Sequence, residues 1–180
     1  MKLEQTADGS YTLYVPELDE HYHSVKGALT ESQHIFIEMG LKHSPVSEPH
    51  ILEIGLGTGL NAFLTLLSAE ETRRKVHYTG IERYPLAEET LKQLDYPRLI
   101  GKQHEEDYYA IHRAPWNTET EVSPWFTLHK IEMILPGFST RRKAAVPPFP
   151  YTISSTLMPS LPKNNPKCGN NLFSILYTRY

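Results

Sequence analysis

The order of apolar and polar positions in the middle of the chain predicts strands that alternate with helices. Ile51–Ile54 is a short apolar run that breaks into three alternating glycines and then continues as a helical pattern from Asn61 to about Ser68. A second apolar run, Val76–Ile81, predicts another buried strand, and Phe126–Ile131 predicts a third. Strands alternating with helices are typical of an α/β fold with a parallel sheet.

Two further helices are predicted from the residues of their first turns. Thr30 and Gln33 have the spacing of a capping box, and the helix that follows them should bury an apolar face. Pro85 suits the first turn of a helix after the second strand, and Glu88 and Glu89 suit its positive end. The apolar residues expected to be buried by the earlier helix are Ile35, Phe36 and Met39.

The glycine-rich turn after the first strand has the form Glu-x-Gly-x-Gly-x-Gly, made by Glu53, Gly55, Gly57 and Gly59. Glycines there let the backbone pass close to a ligand, and the helix that follows presents unpaired N–H groups to a polar cofactor. A dinucleotide-binding turn, Gly-x-Gly-x-x-Gly, would need glycine where Leu60 stands. The spacing found here is the one that S-adenosylmethionine (AdoMet) methyltransferases carry. It therefore favours AdoMet over NAD.

The second predicted strand ends on an acid, Glu82. In doubly wound sheets a carboxylate at this place accepts hydrogen bonds from the two hydroxyls of a ribose, beyond the carboxyl ends of the strands. The alternative is a surface glutamate that merely precedes the next helix. The combination with the glycine turn favours the ribose role.

Composition narrows the class of protein. A chain of 180 residues is expected to form one domain; it has no apolar run long enough to cross a membrane and no signal-peptide pattern at its start, so a cytoplasmic protein is expected. Its single cysteine, Cys168, excludes an internal disulfide and offers no metal framework. His21 and His23 are expected to share a strand face, but they lack the carboxylates or thiols of a metal site.

Charge divides the chain in two. All 21 acidic residues precede Met133. The segment from Met133 to Tyr180 has no acidic residue, and its basic residues are scattered among seven prolines. Such a tail could be a nucleic-acid arm or a disordered segment. The predicted organisation is an N-terminal extension over residues 1–45, a cofactor-binding half over 46–132, and an irregular Pro-rich basic tail over 133–180.

Several segments between residues 11 and 132 together resemble the methyltransferase domain of the bacterial MnmC-type tRNA-modifying enzymes. They are Tyr22–Ser24, Gly27–Ala28, Glu31–Phe36, Ile51–Asn61, Ile81–Leu86 and Phe126–Ile131. The resemblance implies a Rossmann-like, AdoMet-dependent methyltransferase fold of the α/β class, with an N-terminal β-hairpin and helix extension. It also implies methylation of the aminomethyl group on the wobble uridine of tRNA, with no metal and no membrane involved.

The resemblance also assigns candidate cofactor residues. The methionine and ribose part of the AdoMet site would be lined by Glu53, Gly55, Gly57, Gly59 and Asn61, with Glu82 on the ribose hydroxyls. Four aromatic residues could stack on a splayed anticodon base, although packing in the core is the favoured use of each: Tyr22, Tyr108, Tyr109 and Trp116.

The family next has an acid just after the third strand, and then a fourth strand ending in Phe-Asp-Ala-Phe-x-Pro, where the acceptor meets the methyl group. This chain has neither in its own frame. Back-translation of Thr156–Gly169 with permitted codons yields that motif when two bases are discarded, and the same shift at Met133 and Ile134 forces Asp. Our hypothesis is a frameshift near Glu132, which leaves the fold incomplete and no catalytic residue to assign.

Loss of the fourth strand is expected to expose the edge of the first strand and to remove the groups that position the acceptor amine. The chain as written should then be inactive. Three alternatives remain open: an AdoMet methyltransferase with another acceptor, a dinucleotide-dependent oxidoreductase, and a non-catalytic remnant or RNA-binding protein whose basic tail contacts RNA.

Overall fold

The computed structural model of the chain describes residues 1–132 and the backbone of Ile175–Thr178. Its strands are β1 (Lys2–Gln5), β2 (Tyr11–Val15), β3 (Glu20–His21), β4 (His50–Ile54), β5 (Val76–Glu82), β6 (Glu119–Ser123), β7 (Phe126–Glu132) and β8 (Ile175–Thr178). Its α-helices are α1 (Ala28–Ser32), α2 (Leu60–Thr72), α3 (Glu88–Leu94), α4 (Tyr96–Ile100) and α5 (Glu105–Arg113). A π-helix spans Gln33–Glu38, and short 3-10 helices span Leu41–His43 and Lys102–His104.

The larger sheet has the strand order β6-β7-β5-β4-β8. Strands β4, β5 and β7 are parallel, while β6 joins the outer edge antiparallel to β7. The three predicted strands are therefore present, and the second and third lie on one side of the first. This mixed α/β architecture confirms the Rossmann-like fold class.

The other edge of β4 differs from the prediction. We expected His50–Ile54 to be left as an exposed edge, but β8 pairs antiparallel with it, from His50 opposite Thr178 to Glu53 opposite Ile175. The prediction of an unpaired edge is therefore wrong, because a short strand from the tail occupies its backbone groups. The proposed frame loss, Cys168 and the rest of the basic tail lie outside the described residues.

The N-terminal extension is a three-stranded antiparallel sheet, in the order β1-β2-β3, followed by α1. The expected hairpin and helix are present with one additional strand. His21 and His23 do not share a strand face as predicted. Strand β3 ends at His21, and His23 lies beyond its end, where it is buried. His21 Nε2 lies 2.8 Å from the carboxylate of Glu4 on β1, across the intervening strand β2 of the same sheet.

The helix pattern around residue 30 was predicted incorrectly. Helix α1 begins at Ala28 and its N-cap residue is Gly27, which has no side chain to cap it, so Thr30 and Gln33 do not form a capping box. The following residues form a π-helix, whose wider turn changes which side chains face inward. Ile37 is buried, Phe36 is half-buried, and the two other residues predicted to be buried are exposed: Ile35 by 47% and Met39 by 51%.

The helix after β5 also begins later than predicted. Helix α3 starts at Glu88, with Glu88 and Glu89 in its first turn as expected, but Pro85 precedes the helix by three residues. Helix α2 runs four residues beyond the predicted end, to Thr72. It packs its apolar side chains, among them the fully buried Phe63, into the core next to Tyr108 of α5. No helix in residues 1–132 combines the length and apolarity that a membrane span requires.

Asp8 ties the turn between β1 and β2 to the first turn of α1. Its carboxylate accepts hydrogen bonds from the Thr6 hydroxyl, from the hydroxyl and backbone N–H of Ser10, and from the backbone N–H of Thr30. Burial opposes its ionisation, but these hydrogen bonds outweigh it and hold the pKa of Asp8 below its usual range. A methyl group on Gly27 would lie 2.6 Å from this carboxylate, so the close approach requires glycine.

Replacement of Asp8 tests this connection. Asp8→Ala should lower the free energy of unfolding by about 1–3 kcal/mol at neutral pH, because buried donors lose their charged acceptor. Since the folded-state pKa is lowered, the difference from wild type should shrink as the pH falls below about 4. Urea unfolding measures both effects. The control is Glu17→Ala, which removes an exposed carboxylate of the same extension; an equal loss in both variants would contradict the assignment.

Candidate functional site

The glycine turn joins β4 to α2 and has the strand, loop and helix order predicted for it. Gly55, Gly57 and Gly59 all have positive φ angles, of 89°, 51° and 71°, which L side chains rarely adopt. Gly59 is the N-cap residue of α2. The turn therefore requires glycine for its backbone conformation before any ligand is considered.

The three glycines differ in what their Cα atoms face. A methyl group added at Gly55 would meet nothing within 4 Å, whereas one at Gly57 would lie 2.8 Å from the Tyr22 ring and one at Gly59 would lie 2.7 Å from His112 Nε2. The space beside Gly57 and Gly59 is thus filled by side chains of the chain itself. Open space for another molecule remains beside Gly55.

Glu82, the last residue of β5, binds the glycine turn directly. Its Oε2 accepts a hydrogen bond of 2.8 Å from the Gly57 N–H, and its Oε1 accepts bonds of 2.7 and 2.8 Å from the N–H groups of Arg83 and Tyr84. The end of β5 is where the sequence predicted a sugar-binding acid. Each carboxylate oxygen has about two acceptor positions, so Oε2 retains capacity for another donor.

Glu53 and Asn61 come together beneath the turn. The Asn61 Nδ2 donates a hydrogen bond of 2.7 Å to Glu53 Oε1, and the Tyr78 hydroxyl donates one of 2.7 Å to Glu53 Oε2. Glu53 is only 2% exposed, and this burial raises its pKa to about 7, although both hydrogen bonds oppose the rise. Both Glu53 oxygens are thus already bonded within the chain, whereas the buried Asn61 Oδ1 has no partner among the described residues.

The N-terminal extension and α5 hold the turn from two sides. His23 Nε2 lies 2.7 Å from the Thr58 hydroxyl, and the Tyr108 hydroxyl donates a 3.0 Å hydrogen bond to the Thr58 carbonyl. Burial lowers the pKa of His23 to about 4, so the imidazole is neutral at physiological pH. Sequence reasoning missed Thr58 and His112, although Tyr108 and His112 have the i, i+4 spacing that brings them to one face of α5.

The four candidate stacking residues have different environments. Tyr108 is fully buried in the core, which is the packing use that the sequence left open, and Tyr109 packs partly against that core. Tyr22 is half-buried on Gly57, and burial together with the nearby Glu82 charge raises its pKa. Trp116 lies beside the Lys130 ammonium, 4.5 Å from the ring centre.

A small cavity lies beside the turn at the carboxyl ends of β4, β5 and β7. Lys130 of β7 is buried there and donates a 2.6 Å hydrogen bond to the His112 carbonyl near the end of α5, where the helix dipole favours a cation. Burial lowers the pKa of Lys130 to about 8 and that of His112 to about 4, with the Lys130 charge contributing to the latter. The lining residues are Leu56, Gly57, Glu82, Pro85, Leu86, Leu91, His112, Trp116 and Lys130.

The cavity has acidic and basic groups but lacks the donor set of a metal site. Within residues 1–132, no three His, Cys, Asp or Glu side chains are placed to hold a metal ion together. The arrangement instead offers the Glu82 carboxylate and the backbone of Gly55, which faces open space. Those are groups that bind a polar organic molecule.

The raised pKa of Glu53 predicts a pH-dependent stability. Because the folded state holds this proton more tightly than the unfolded chain, the contribution is fully present below about pH 4.5 and is lost as the pH rises through about 7. The loss should reach roughly 3 kcal/mol. Glu53→Gln keeps an acceptor for Asn61 and should remove this part of the pH dependence in urea unfolding between pH 5 and 8. Identical pH profiles for wild type and variant would contradict the prediction.

Comparison with known proteins places this geometry in a family context. No family model matches the chain. The chain is similar to several curated proteins, each of which is named tRNA 5-methylaminomethyl-2-thiouridine biosynthesis bifunctional protein MnmC. The Magnetococcus marinus protein is 34% identical over 94 residues, which are 48% of this chain and 14% of that protein. The Burkholderia mallei protein is 33% identical over 119 residues, which are 63% of this chain and 16% of that protein.

The fold has a solved counterpart. The crystal structure of MNMC2 from Aquifex aeolicus matches with a TM-score of 0.53 and 24% identity, covering 74% of this chain and 42% of that one. The present chain spans only about one seventh of the curated relatives it matches, so it corresponds to a part of them. The relatives are tRNA-modifying enzymes by name, and the similarity covers about half of this chain or more. The chain therefore contains a region similar to an MnmC-type domain in sequence and in fold.

Proposed function

We propose that residues 46–132 form the AdoMet-binding half of a methyltransferase that acts on the wobble uridine of tRNA. The observation that carries the proposal is the hydrogen bond between Glu82 and the Gly57 N–H. It joins the acid at the end of β5 to the glycine turn after β4, at the edge of a parallel sheet where cofactors bind in this class of fold. The names of the MnmC relatives support tRNA 5-methylaminomethyl-2-thiouridine biosynthesis as the process.

The residues present fit this cofactor. The open space beside Gly55 gives a ligand access to the backbone, and Glu82 Oε2 has room for a hydroxyl donor from a ribose. Leu60 occupies the third glycine position of a dinucleotide turn and is fully buried in the core, which disfavours NAD. The unpartnered Asn61 Oδ1 is a further acceptor close to the turn, consistent with a site that receives a polar ligand.

AdoMet, when bound, supplies an electrophilic methyl group on a positively charged sulfur. The described residues contribute binding and orientation: Glu82 would hold the sugar, the glycine turn would hold the polar chain, and Tyr22 would shield the turn from water. A neutral amine must then be held in line with the methyl group. The acid that would orient this amine and receive its proton belongs to the motif missing from the chain's own frame, so we propose that the chain as written is inactive.

The open space beside Gly55 gives the sharpest test of cofactor binding, because Gly9 provides a matched control. Gly9 has a φ of 84°, close to the 89° of Gly55, and a methyl group at either position would meet nothing within 4 Å. Gly55→Ala and Gly9→Ala should therefore lose similar stability, about 1–3 kcal/mol from backbone strain.

Only Gly55→Ala should also weaken S-adenosylhomocysteine binding, by roughly 10-fold or more in isothermal titration calorimetry, since about 1.4 kcal/mol of lost contact gives a factor of ten. NAD should give no heat with the wild type. Failure of the wild-type chain to bind S-adenosylhomocysteine, or equal affinity for it in both variants, would refute the assignment.

Methyl transfer is tested separately from binding. The full chain with tritiated AdoMet and undermodified tRNA should give no labelled tRNA above the level without enzyme, because the groups that position the acceptor are absent. A version whose reading frame is shifted after codon 132 should restore labelling. Measurable turnover by the unshifted chain would contradict the proposed inactivity, and gene codons incompatible with the shifted motif would contradict the frame loss.

A further inference from the structure

Two consecutive side chains beyond β5 stand out on the rim of the site. Tyr84 is 63% exposed, an unusually large exposed aromatic surface for this chain, and the Arg83 guanidinium lies over its ring at 4.7 Å from the centroid. Arg83 is exposed and has no ion pair with any residue that the structure describes. The pair therefore presents a flat, positively charged surface to solvent.

The pair is held at a fixed position relative to the glycine turn. Glu82 Oε1 accepts hydrogen bonds from the backbone N–H groups of both Arg83 and Tyr84, while Oε2 accepts one from Gly57. The next residue, Pro85, has a restricted φ and lines the cavity together with Leu86. One carboxylate thus anchors the proposed cofactor turn and this exposed pair together.

The chemistry of the pair matches an unstacked nucleotide. RNA bases that are splayed out of a helix stack on aromatic rings and on guanidinium planes, and an Arg without a carboxylate partner can also contact a phosphate. The described body of the chain is otherwise rich in acidic residues, which would repel a polyanion, so an unpaired cation beside the site is significant. Tyr96 and Tyr108 do not offer this surface because they are fully buried, and the half-buried Tyr22 packs its ring against Gly57.

We infer that Arg83 and Tyr84 form a docking platform for an unstacked base of the RNA substrate and its adjoining phosphate. The inference rests on the proposed function, because it assumes that the acceptor is RNA. It assigns to the turn after β5 a role in substrate binding that is separate from the contact of Glu82 with the cofactor. The platform would place the RNA base next to the cavity rim without using any group buried in the core.

The test titrates the full chain into a fluorescently labelled anticodon stem-loop RNA with an unmodified wobble uridine. Tyr84→Ala should weaken binding about 5-fold or more, the factor that corresponds to a stacking contribution of about 1 kcal/mol, and Tyr84→Phe should retain the wild-type affinity. Arg83→Met should lower the slope of log affinity against log salt by about 0.7, as expected for one lost phosphate contact to a single strand. Lys75→Met, an exposed cation at the opposite end of β5, is the control and should leave the affinity unchanged.

Calorimetry with S-adenosylhomocysteine on the same variants separates this inference from the proposed function. Unchanged cofactor affinity together with weakened RNA binding in Tyr84→Ala supports the platform. Weakened cofactor affinity with unchanged RNA binding would overturn it, because the ring would then belong to the cofactor site. RNA binding that is absent in the wild type, or insensitive to both substitutions, would also overturn it. Absence of cofactor binding by the wild type would refute the proposed function, whatever the RNA titration shows.

Discussion

The hydrogen bonds of the Glu82 carboxylate are the interaction on which the rest of the site depends. A glycine turn between a strand and a helix has few conformational restraints of its own. Glu82 supplies a charged acceptor to Gly57 in that turn and to the two residues that follow β5. Charge-assisted hydrogen bonds are stronger than neutral ones, so this side chain is a major link between two loops from neighbouring strands. The N–H groups of Gly55 and Leu56, which donate to the Ile81 carbonyl, add to the same link.

The second source of order is the N-terminal extension. It brings the Tyr22 ring against Gly57 and His23 against the Thr58 hydroxyl, while α5 brings His112 against Gly59. These rings fill the space left by two of the three glycines and leave the third facing open space. The hydrogen bonds of Asp8 join the small sheet of this extension to α1, so the sheet and the helix act together in supporting the turn. The segment Tyr22–Ser24, one of those that resemble the MnmC family, is therefore in physical contact with the glycine turn.

Burial of ionisable groups beneath the site costs stability. Glu53 is buried between Asn61 and Tyr78, and its pKa of about 7 reflects the cost of a charge away from water. Lys130 is buried in β7, which β5 separates from the strand of Glu53, and the carbonyl of His112 and the face of Trp116 offset part of its desolvation. Groups of this kind orient their neighbours, since the Glu53 carboxylate determines which end of the Asn61 amide faces away from it. Ionisable groups buried in this way are not typical of a core optimised for stability.

The sequence by itself determined the parallel strands, the glycine turn, the position of Glu82 and the class of fold, because apolar periodicity and glycine spacing are local properties. Prediction from the sequence failed where contacts between residues far apart in the chain decide burial and strand pairing. The π-helix left Ile35 and Met39 exposed where burial was expected, and the pairing of β8 with β4 covered an edge expected to be unpaired. Only the tertiary structure showed that Gly57 and Gly59 face rings of the chain itself while Gly55 faces open space. Those contacts join residues 35 to 53 positions apart, a separation at which the local pattern of a sequence carries no information about packing.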